Sequence, residues 1–400
     1  MISFKDALQN VLNHSQDFGN ESVELTKSHG RILAETIMAD RDFPPFDRST
    51  KDGIAIRFDD INGQNQSFSI AGVAQAGSPQ LILDDETSCI EVMTGAIVPQ
   101  NADTVIMYEH TSSNGEAFTI NESVKKGQNI HYQASDVSKG EVLLEPGIKI
   151  TAAEIGVLAT VGKAIVSVKK LPKVAVISTG NELVDVDKTP LPFQIRKSNS
   201  HSLVSLLENE NIQGDIHHLV DEPSAIKQRL ELLIQEYDVL LLSGGVSKGK
   251  YDFLPEAFDS LGVEKVFHKV LQRPGKPFWF GKHPKHNTTV FSFPGNPVST
   301  FVNYHLYFKP WLNKTLGTDT SQFAVFLDDS YSNDTDLTLF VGVELKLKAG
   351  NLLAKTISST GSGDLLALAK ADGFVQLLPK EEVSKGSLVP FIPTRNNGVV

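Results

Sequence analysis

The stretch Tyr237-Asp-Val-Leu-Leu-Leu-Ser-Gly-Gly-Val-Ser-Lys-Gly-Lys-Tyr-Asp-Phe253 decides the fold class. Residues 239–242 form an apolar run with no polar alternation, the pattern of a strand buried on both faces of a parallel sheet. The run ends in Ser243-Gly244-Gly245, where missing side chains let the backbone turn sharply and approach a ligand. Asp252 then opens a second apolar segment, 253–261, which reads as a helix. Open parallel sheets bind ligands beyond the carboxyl ends of their strands, so this loop is a candidate site. Two further stretches repeat the pattern. Lys173-Val-Ala-Val-Ile-Ser-Thr-Gly-Asn-Glu-Leu183 is a strand, a Gly turn and an acid, Glu182. Thr289-Val-Phe-Ser-Phe-Pro-Gly-Asn-Pro-Val-Ser299 is a strand, a rigid Pro-Gly-Asn-Pro turn and a helix start. Three such transitions converge on one rim.

Residues 244–251 match a phosphate-binding P-loop except that Tyr251 stands where a Ser or Thr hydroxyl must hold magnesium. A phenol is too long and is not the usual hard-cation ligand, which counts against a nucleotide hydrolase. Taken alone, the loop also reads as a structural Gly turn.

Working outward, strand 174–178, a helix near 199–210, strand 214–219, helix 223–236 and strand 239–242 alternate. Alternation at this spacing predicts right-handed crossovers and a doubly wound α/β domain over 171–316. Upstream, 4–14 and 21–38 read as helices, and Pro44-Pro45 forces an extended exit. Short alternating runs broken by Gly, Asn and Pro predict a small β domain over 47–139. Residues 150–160 read as a helix and 162–168 as a strand, so 1–46 and 140–170 together form a linker and helical part. After Gly317 the runs 323–327, 337–347, 352–356, 373–378 and 387–392 predict a β barrel or sandwich over 317–400. A chain of 400 residues exceeds a single core, in keeping with several domains.

With 40% hydrophobic and 21% charged residues the composition is that of a soluble globular protein. No apolar run reaches membrane-spanning length, and Met1-Ile-Ser-Phe-Lys-Asp6 lacks a signal peptide's apolar centre. Cys89 is the single cysteine, which excludes an intrachain disulfide and a Cys-based metal cluster and fits a reducing cytoplasm. A net charge of -11 argues against a nucleic-acid partner. Local cations still stand out. Arg273 and Lys276 flank a Pro-Gly turn that fixes their direction, an arrangement suited to an oxyanion or phosphate, or else a solvated basic loop. Glu182, Asp221 and Asp252 follow predicted strands, where carboxylates can hold magnesium together with phosphate oxygens. Each alone reads equally as a helix cap or a surface acid.

Together the motifs resemble the MoeA family, the molybdopterin molybdenumtransferases, whose eukaryotic relatives include the C-terminal part of gephyrin. The resemblance rests on Ser49-Thr-Lys-Asp-Gly53, Met93-Thr-Gly-Ala96, Gly127-Gln-Asn-Ile130 through Asp136, Ser178-Thr-Gly-Asn-Glu-Leu183, Ser243-Gly-Gly-Val-Ser247 with Asp252, Arg273-Pro-Gly-Lys-Pro277, Pro294-Gly-Asn-Pro-Val-Ser299 and Gly361-Ser-Gly363, in the family's order. It implies an elongated homodimer with a MogA-like α/β domain and a C-terminal β barrel. The implied reaction takes adenylylated molybdopterin and molybdate, inserts molybdenum into the dithiolene and releases AMP with Mg2+ assistance. Delivery by a molybdopterin adenylyltransferase is a further implied contact. Carried over, Asp52, Thr94, Asp136, Glu182 and Asp252 form the catalytic set, and Glu182, Asp221 and Asp252 the metal set. Ser243, Gly244 and Gly245 become the pterin-phosphate loop. Arg273, Lys276 and Ser362 become molybdate contacts, beside the Pro294-Gly295-Asn296 turn.

The chain departs from the family pattern in three places. Lys51-Asp52-Gly53-Ile54 replaces Met-Asp-Gly-Tyr, and Arg273 replaces the first Lys of Lys-Pro-Gly-Lys-Pro. The family's Arg early in the last domain has no counterpart in Phe340-Val-Gly-Val343, and no Arg occurs between Arg273 and Arg395. Two other functions fit parts of the chain. An adenylyltransferase shares the α/β module but needs neither flanking region, and a non-catalytic scaffold has no use for a converging acidic set.

Overall fold

The computed structural model describes residues 1–63, 65–246, 252–318 and 322–395. At its centre Gly214–Leu219, Val174–Thr179, Val239–Ser243, Thr289–Phe293, Trp279–Lys282 and Glu264–His268 lie side by side in that order. The first four are parallel, and the last two form an antiparallel edge. Side chains alternate between the two faces of a strand, so a strand covered on both sides must be apolar throughout. Val174, Val176, Val239, Leu241, Phe291 and Phe293 pack on one face, against Leu203 and Leu207 of helix Asn199–Glu208. Ala175, Ile177, Leu240, Leu242 and Val290 pack on the other, against Ile226, Leu230 and Leu233 of helix Pro223–Glu236.

The second strand in sequence lies on one side of the first, and the third lies on the other. At that reversal the crossovers leave toward opposite faces and open a crevice beyond the strand ends. Gly180 and Ser243-Gly244-Gly245 sit there.

The core of the first face extends past the α/β domain. It takes in Ala7 and Val11 of helix Phe4–Asn13, and Phe340 and Phe374 from the C-terminal region. That region is a closed five-stranded barrel: Thr338–Lys348, Asn351–Thr356, Phe323–Leu327, Leu388–Pro393 and Gly373–Leu377, the last pairing again with the first. The N-terminal region carries its own six-stranded sheet, ordered Thr104–Met107, Gly53–Ile56, Ser88–Val92, Ser67–Ala74, Ala117–Ile120, Thr111–Ser113. Gly53 is obligatory in it, because a Cβ there would lie 2.0 Å from the Ile106 carbonyl oxygen. Among the described residues no helix is long and apolar enough to cross a membrane.

One expected element is overturned. Residues 21–38 are not a helix. Strand Asn20–Glu24 pairs antiparallel with Ile165–Lys169, and a 3-10 turn, Leu25–Lys27, and strand Ile37–Met38 follow. Gly30 takes φ +76° and breaks the segment. Leu33 and Ile37, four apart as on a helix face, instead enter a shared core with Ile150, Leu158, Val166 and Val168.

Truncating a central side chain tests the two-faced sheet. Leu241→Ala should lower stability by about 2–5 kcal/mol in denaturant unfolding, whereas Leu232→Ala should stay within about 0.5 kcal/mol. Leu241 is fully buried and Leu232 is 51% exposed. Equal costs would contradict the sheet's coverage.

Candidate active site

The rim is held together by backbone contacts that only small residues allow. Gly180 has φ +136°, and a Cβ there would lie 2.4 Å from Glu182 Oε2, so the exposed Glu182 side chain folds against the turn. Asn181 and Asp221 bind reciprocally: the Asn181 N–H donates to Asp221 Oδ2 at 3.2 Å, and the Asp221 N–H donates to Asn181 Oδ1 at 3.1 Å. Gly244, at φ +101°, would place a Cβ 2.8 Å from Thr179 Oγ1. A Cβ on Gly295 would in turn meet Gly244 Cα at 3.5 Å. The strand-end loops therefore stack directly on one another. Asn199 Nδ2 ties them, donating to Ser243 Oγ and to the Gly295 carbonyl, both at 2.7 Å. Thr300 Oγ1 donates to the Pro294 carbonyl at 2.7 Å and lies 3.3 Å from Ser243 Oγ. Behind the rim, His218 Nδ1 lies 3.3 Å from Ser178 Oγ. Burial, aided by Lys197, pushes the His218 pKa down, so it is neutral at pH 7.

Beside this rim opens a cavity of about 650 Å³ between the α/β domain and the barrel. Arg273 and Lys276, the Pro294-Gly295-Asn296 turn, the loop 359–362 and strand Thr338–Lys348 line it. The basic loop is braced from below by buried polar groups. Gln272 Nε2 donates to the Pro274 carbonyl and to Asn303 Oδ1, both at 2.9 Å. Asn303 Nδ2 donates to the Gly275 carbonyl at 3.2 Å, and the Tyr307 hydroxyl donates to Gln272 Oε1. Gly275, at φ +88°, leaves no room for a Cβ against Asn303. The barrel wall contributes Leu339, Phe340, Val341 and Gly342, so Arg273 and Lys276 are the cations among the described lining residues. Ser362 meets the α/β domain at its side chain, where Asn296 Nδ2 donates to its Oγ at 2.6 Å.

Asp52, Thr94 and Asp136 occupy the N-terminal region. Asp52 Oδ1 accepts from the Thr94 N–H at 2.6 Å and its hydroxyl at 2.8 Å. These two bonds hold the exposed Asp52 carboxyl below its usual range. Asp136 Oδ1 lies 2.8 Å from His131 Nε2, and Arg48 Nη2 lies 3.1 Å from His131 Nδ1. Arg can only donate, so Nδ1 accepts and Nε2 carries the hydrogen toward Asp136. Asp252 stands just before helix Leu254–Ser260. The P-loop-like positions 247–251 lie outside the described residues.

Residues 2–162 match the MoeA N-terminal region (domain I and II), residues 175–314 a probable molybdopterin binding domain, and residues 325–394 the MoeA C-terminal region (domain IV). A molybdopterin molybdenumtransferase of Synechocystis sp. is 37% identical over 397 residues, covering 98% of this chain and 99% of its own. A protein of the same name from Staphylococcus epidermidis is 32% identical over 411 residues, covering 99% and 96%. The crystal structure of a molybdopterin biosynthesis MoeA protein from Pyrococcus horikoshii matches with a TM-score of 0.83 at 28% identity, over 98% of this chain and 100% of that one. The chain belongs to the MoeA family. It is a transferase of molybdenum cofactor biosynthesis that inserts molybdenum into molybdopterin, and neither the adenylyltransferase nor the scaffold reading is favoured.

In this MoeA-family chain the structure gathers Ser243, Gly244, Gly245, Pro294, Gly295 and Asn296 through direct contacts, and joins Arg273, Lys276 and Ser362 around the cavity. Glu182 and Asp221 flank Asn181 at the neighbouring strand end. Asp52 with Thr94, and Asp136 with His131, form separate hydrogen-bonded pairs in the N-terminal region. Sequence reasoning missed Asn199, Gln272, Asn303, Thr300 and His131. For His131 a signal existed, since it lies inside the quoted stretch 127–136. Thr300 directly follows the quoted stretch 289–299 and bonds back to its Pro294 carbonyl. For Asn199, Gln272 and Asn303, partners 28 to 96 positions away bring in the rest of the rim, and no local pattern marks them.

The Asp52 pair supports a titration experiment. Thr94→Val removes the hydroxyl bond but keeps the backbone N–H, so the Asp52 pKa should rise part of the way toward 3.8. A lowered folded pKa adds stability above the unfolded value, which is lost as pH falls through the folded one. Carboxyl NMR titration of the two proteins would show the rise, and identical Asp52 curves would refute it.

Proposed function

We propose that the substrate is adenylylated molybdopterin, that molybdate enters the cavity between 273–276 and 359–362, and that insertion of molybdenum releases AMP. One observation carries this reading. Gly295 lines the cavity, and the carbonyl of Phe293, two residues before it, accepts the Gly244 N–H at 3.1 Å, so the pocket with the two cations and the Gly-rich strand end adjoin across one turn. A pterin phosphate bound by Ser243, Gly244 and Gly245 then lies next to an oxyanion bound by Arg273 and Lys276. Backbone N–H groups and a braced cationic loop stabilise such charges with little reorganisation.

Magnesium belongs to the same proposal. Among the described residues no three His, Cys, Asp or Glu side chains are arranged to hold a metal, so a cage made wholly of protein is not the fit. Magnesium normally takes one or two carboxylates and completes its shell with phosphate oxygens and water. Glu182, Asp221 and Asp252 are hard oxygen donors of that kind at strand ends. The bound ion would neutralise charge on the phosphoanhydride as AMP leaves. Asp52 and Asp136 are assigned to the same site from a second subunit of a homodimer. Delivery of substrate by a molybdopterin adenylyltransferase in the cytoplasm completes the reading.

The test supplies adenylylated molybdopterin, magnesium and molybdate, and follows AMP release and active cofactor. Lys276→Ala should raise the molybdate concentration for half-maximal rate by about tenfold, roughly 1.4 kcal/mol, with pterin affinity by calorimetry unchanged. Lost pterin affinity would reassign the cation to the pterin phosphate.

Subunit mixing tests the composite site. Asp52→Asn and Asp252→Asn homodimers should each be nearly inactive. Random exchange gives half heterodimers, each with one intact site, and recovery should approach roughly a quarter of wild-type activity. A dead mixture with exchange verified by mass spectrometry would place both carboxylates in one chain.

A further inference from the structure

Three hydroxyls on the loop 359–362 face the cavity, Ser359, Thr360 and Ser362, and their hydrogens are not equally available. Ser359 Oγ donates to the Gly361 carbonyl at 3.2 Å. Thr360 Oγ1 donates to Asp364 Oδ2 at 3.2 Å, and the same oxygen also takes the Thr360 N–H at 3.0 Å. Asp364 is itself fixed, capping helix Leu365–Lys370 by accepting the Ala367 N–H on Oδ1 at 3.0 Å. Both hydrogens are therefore spent inside the loop.

Ser362 differs. Its Oγ receives the Asn296 amide hydrogen at 2.6 Å, and its carbonyl receives the Val298 N–H at 3.0 Å. A hydroxyl has one hydrogen and can accept through its lone pairs. An Nδ2 group only donates, so Ser362 Oγ is the acceptor in this bond and its hydrogen is left for another acceptor. We propose that Asn296 is a positioning residue: it holds Ser362 as a one-way hydrogen-bond donor into the oxyanion cavity, which Ser359 and Thr360 cannot serve. The proposal rests on the cavity being the molybdate site. It matters in this chain because the barrel wall lining the cavity is apolar from Leu339 to Gly342, so Ser362 is the barrel loop's uncommitted hydroxyl hydrogen. Polarisation by the Asn296 amide strengthens the donor further, as chained hydrogen bonds do.

A double-mutant cycle on the full-length protein separates this from a merely structural bridge. Ser362→Ala should raise the half-saturating molybdate concentration about tenfold, the scale of one hydrogen bond to a charged group, with kcat at saturating molybdate retained. Asn296→Ala should raise it several-fold, again with kcat retained. In the Ser362→Ala background Asn296→Ala should add nothing, because its effect passes through the missing hydroxyl. Ser362→Thr should keep most of the affinity. Additive effects of the two alanine changes, or a loss in kcat alone, would overturn the positioning role. The cavity assignment fails separately: if Lys276→Ala and Ser362→Ala both leave molybdate saturation unchanged, the oxyanion binds elsewhere. A molybdate effect for Lys276→Ala with none for Asn296→Ala sinks only the positioning role.

Discussion

Strand Val239–Ser243 has neighbours on both edges and apolar packing on both faces, and the strand-end rim depends on where it stops. While the strand runs, its backbone groups are paired within the sheet and offer nothing to a ligand. After Ser243 one more bond, from the Gly244 N–H to the Phe293 carbonyl at 3.1 Å, closes the pairing, and glycines at φ +101° and +69° turn the backbone away from the strand. Adjacent strands end at the same level: a Cβ at Gly244 would lie 2.8 Å from Thr179 Oγ1, and one at Gly295 would lie 3.5 Å from Gly244 Cα. Any side chain at Gly244 would press on Thr179.

Electrostatics sets a second requirement. A chain with net charge -11 must attract anionic substrates, and two exposed cations on a loose loop would be heavily screened. The structure answers with rigidity. Gln272, Asn303 and Tyr307 are buried and bonded to one another and to the loop's carbonyls. Leaving any of them unpaired in that core would cost about 1–3 kcal/mol. The loop is therefore fixed before an anion arrives, and binding does not have to order it.

What was legible in the sequence follows from how far each signal reaches. The parallel strands, their helices and the barrel strands were readable, because unbroken apolar runs, alternating runs and glycine stops are written in adjacent residues. The family motifs include Gly244, Lys276 and Asn296, which the fold places around the strand-end rim and the cavity. The segment 21–38 departs from the helix its spacing predicts, because Leu33 and Ile37 stand four apart yet reach their shared core from extended chain, Leu33 bridging Val168 and Ile37 pairing with Leu144. Asn199 and Gln272 were invisible for a related reason. Each is an ordinary amide in the sequence, and becomes structural through a distant acceptor brought to it by the fold, the Gly295 carbonyl for Asn199 and Asn303 Oδ1 for Gln272.

The barrel is more than an appended domain, because the basic loop belongs to it as well as to the α/β domain. Strand Gln272–Arg273 pairs parallel with the barrel's Thr338 and Leu339, while Gln272's side chain is bonded to Asn303 of the α/β domain. Neighbouring residues on a strand point to opposite sides. Burying Gln272 therefore turns Arg273 outward, to the cavity side. A one-residue slip against Thr338 would exchange the two, burying a guanidinium and removing the loop's brace together. The register of two residues thus orients the Arg273 cation, and the Asn296–Ser362 bond closes the same domain junction from the other side. Relative motion of barrel and sheet would change both at once, so the positions of Arg273 and Ser362 at the cavity depend on the same junction.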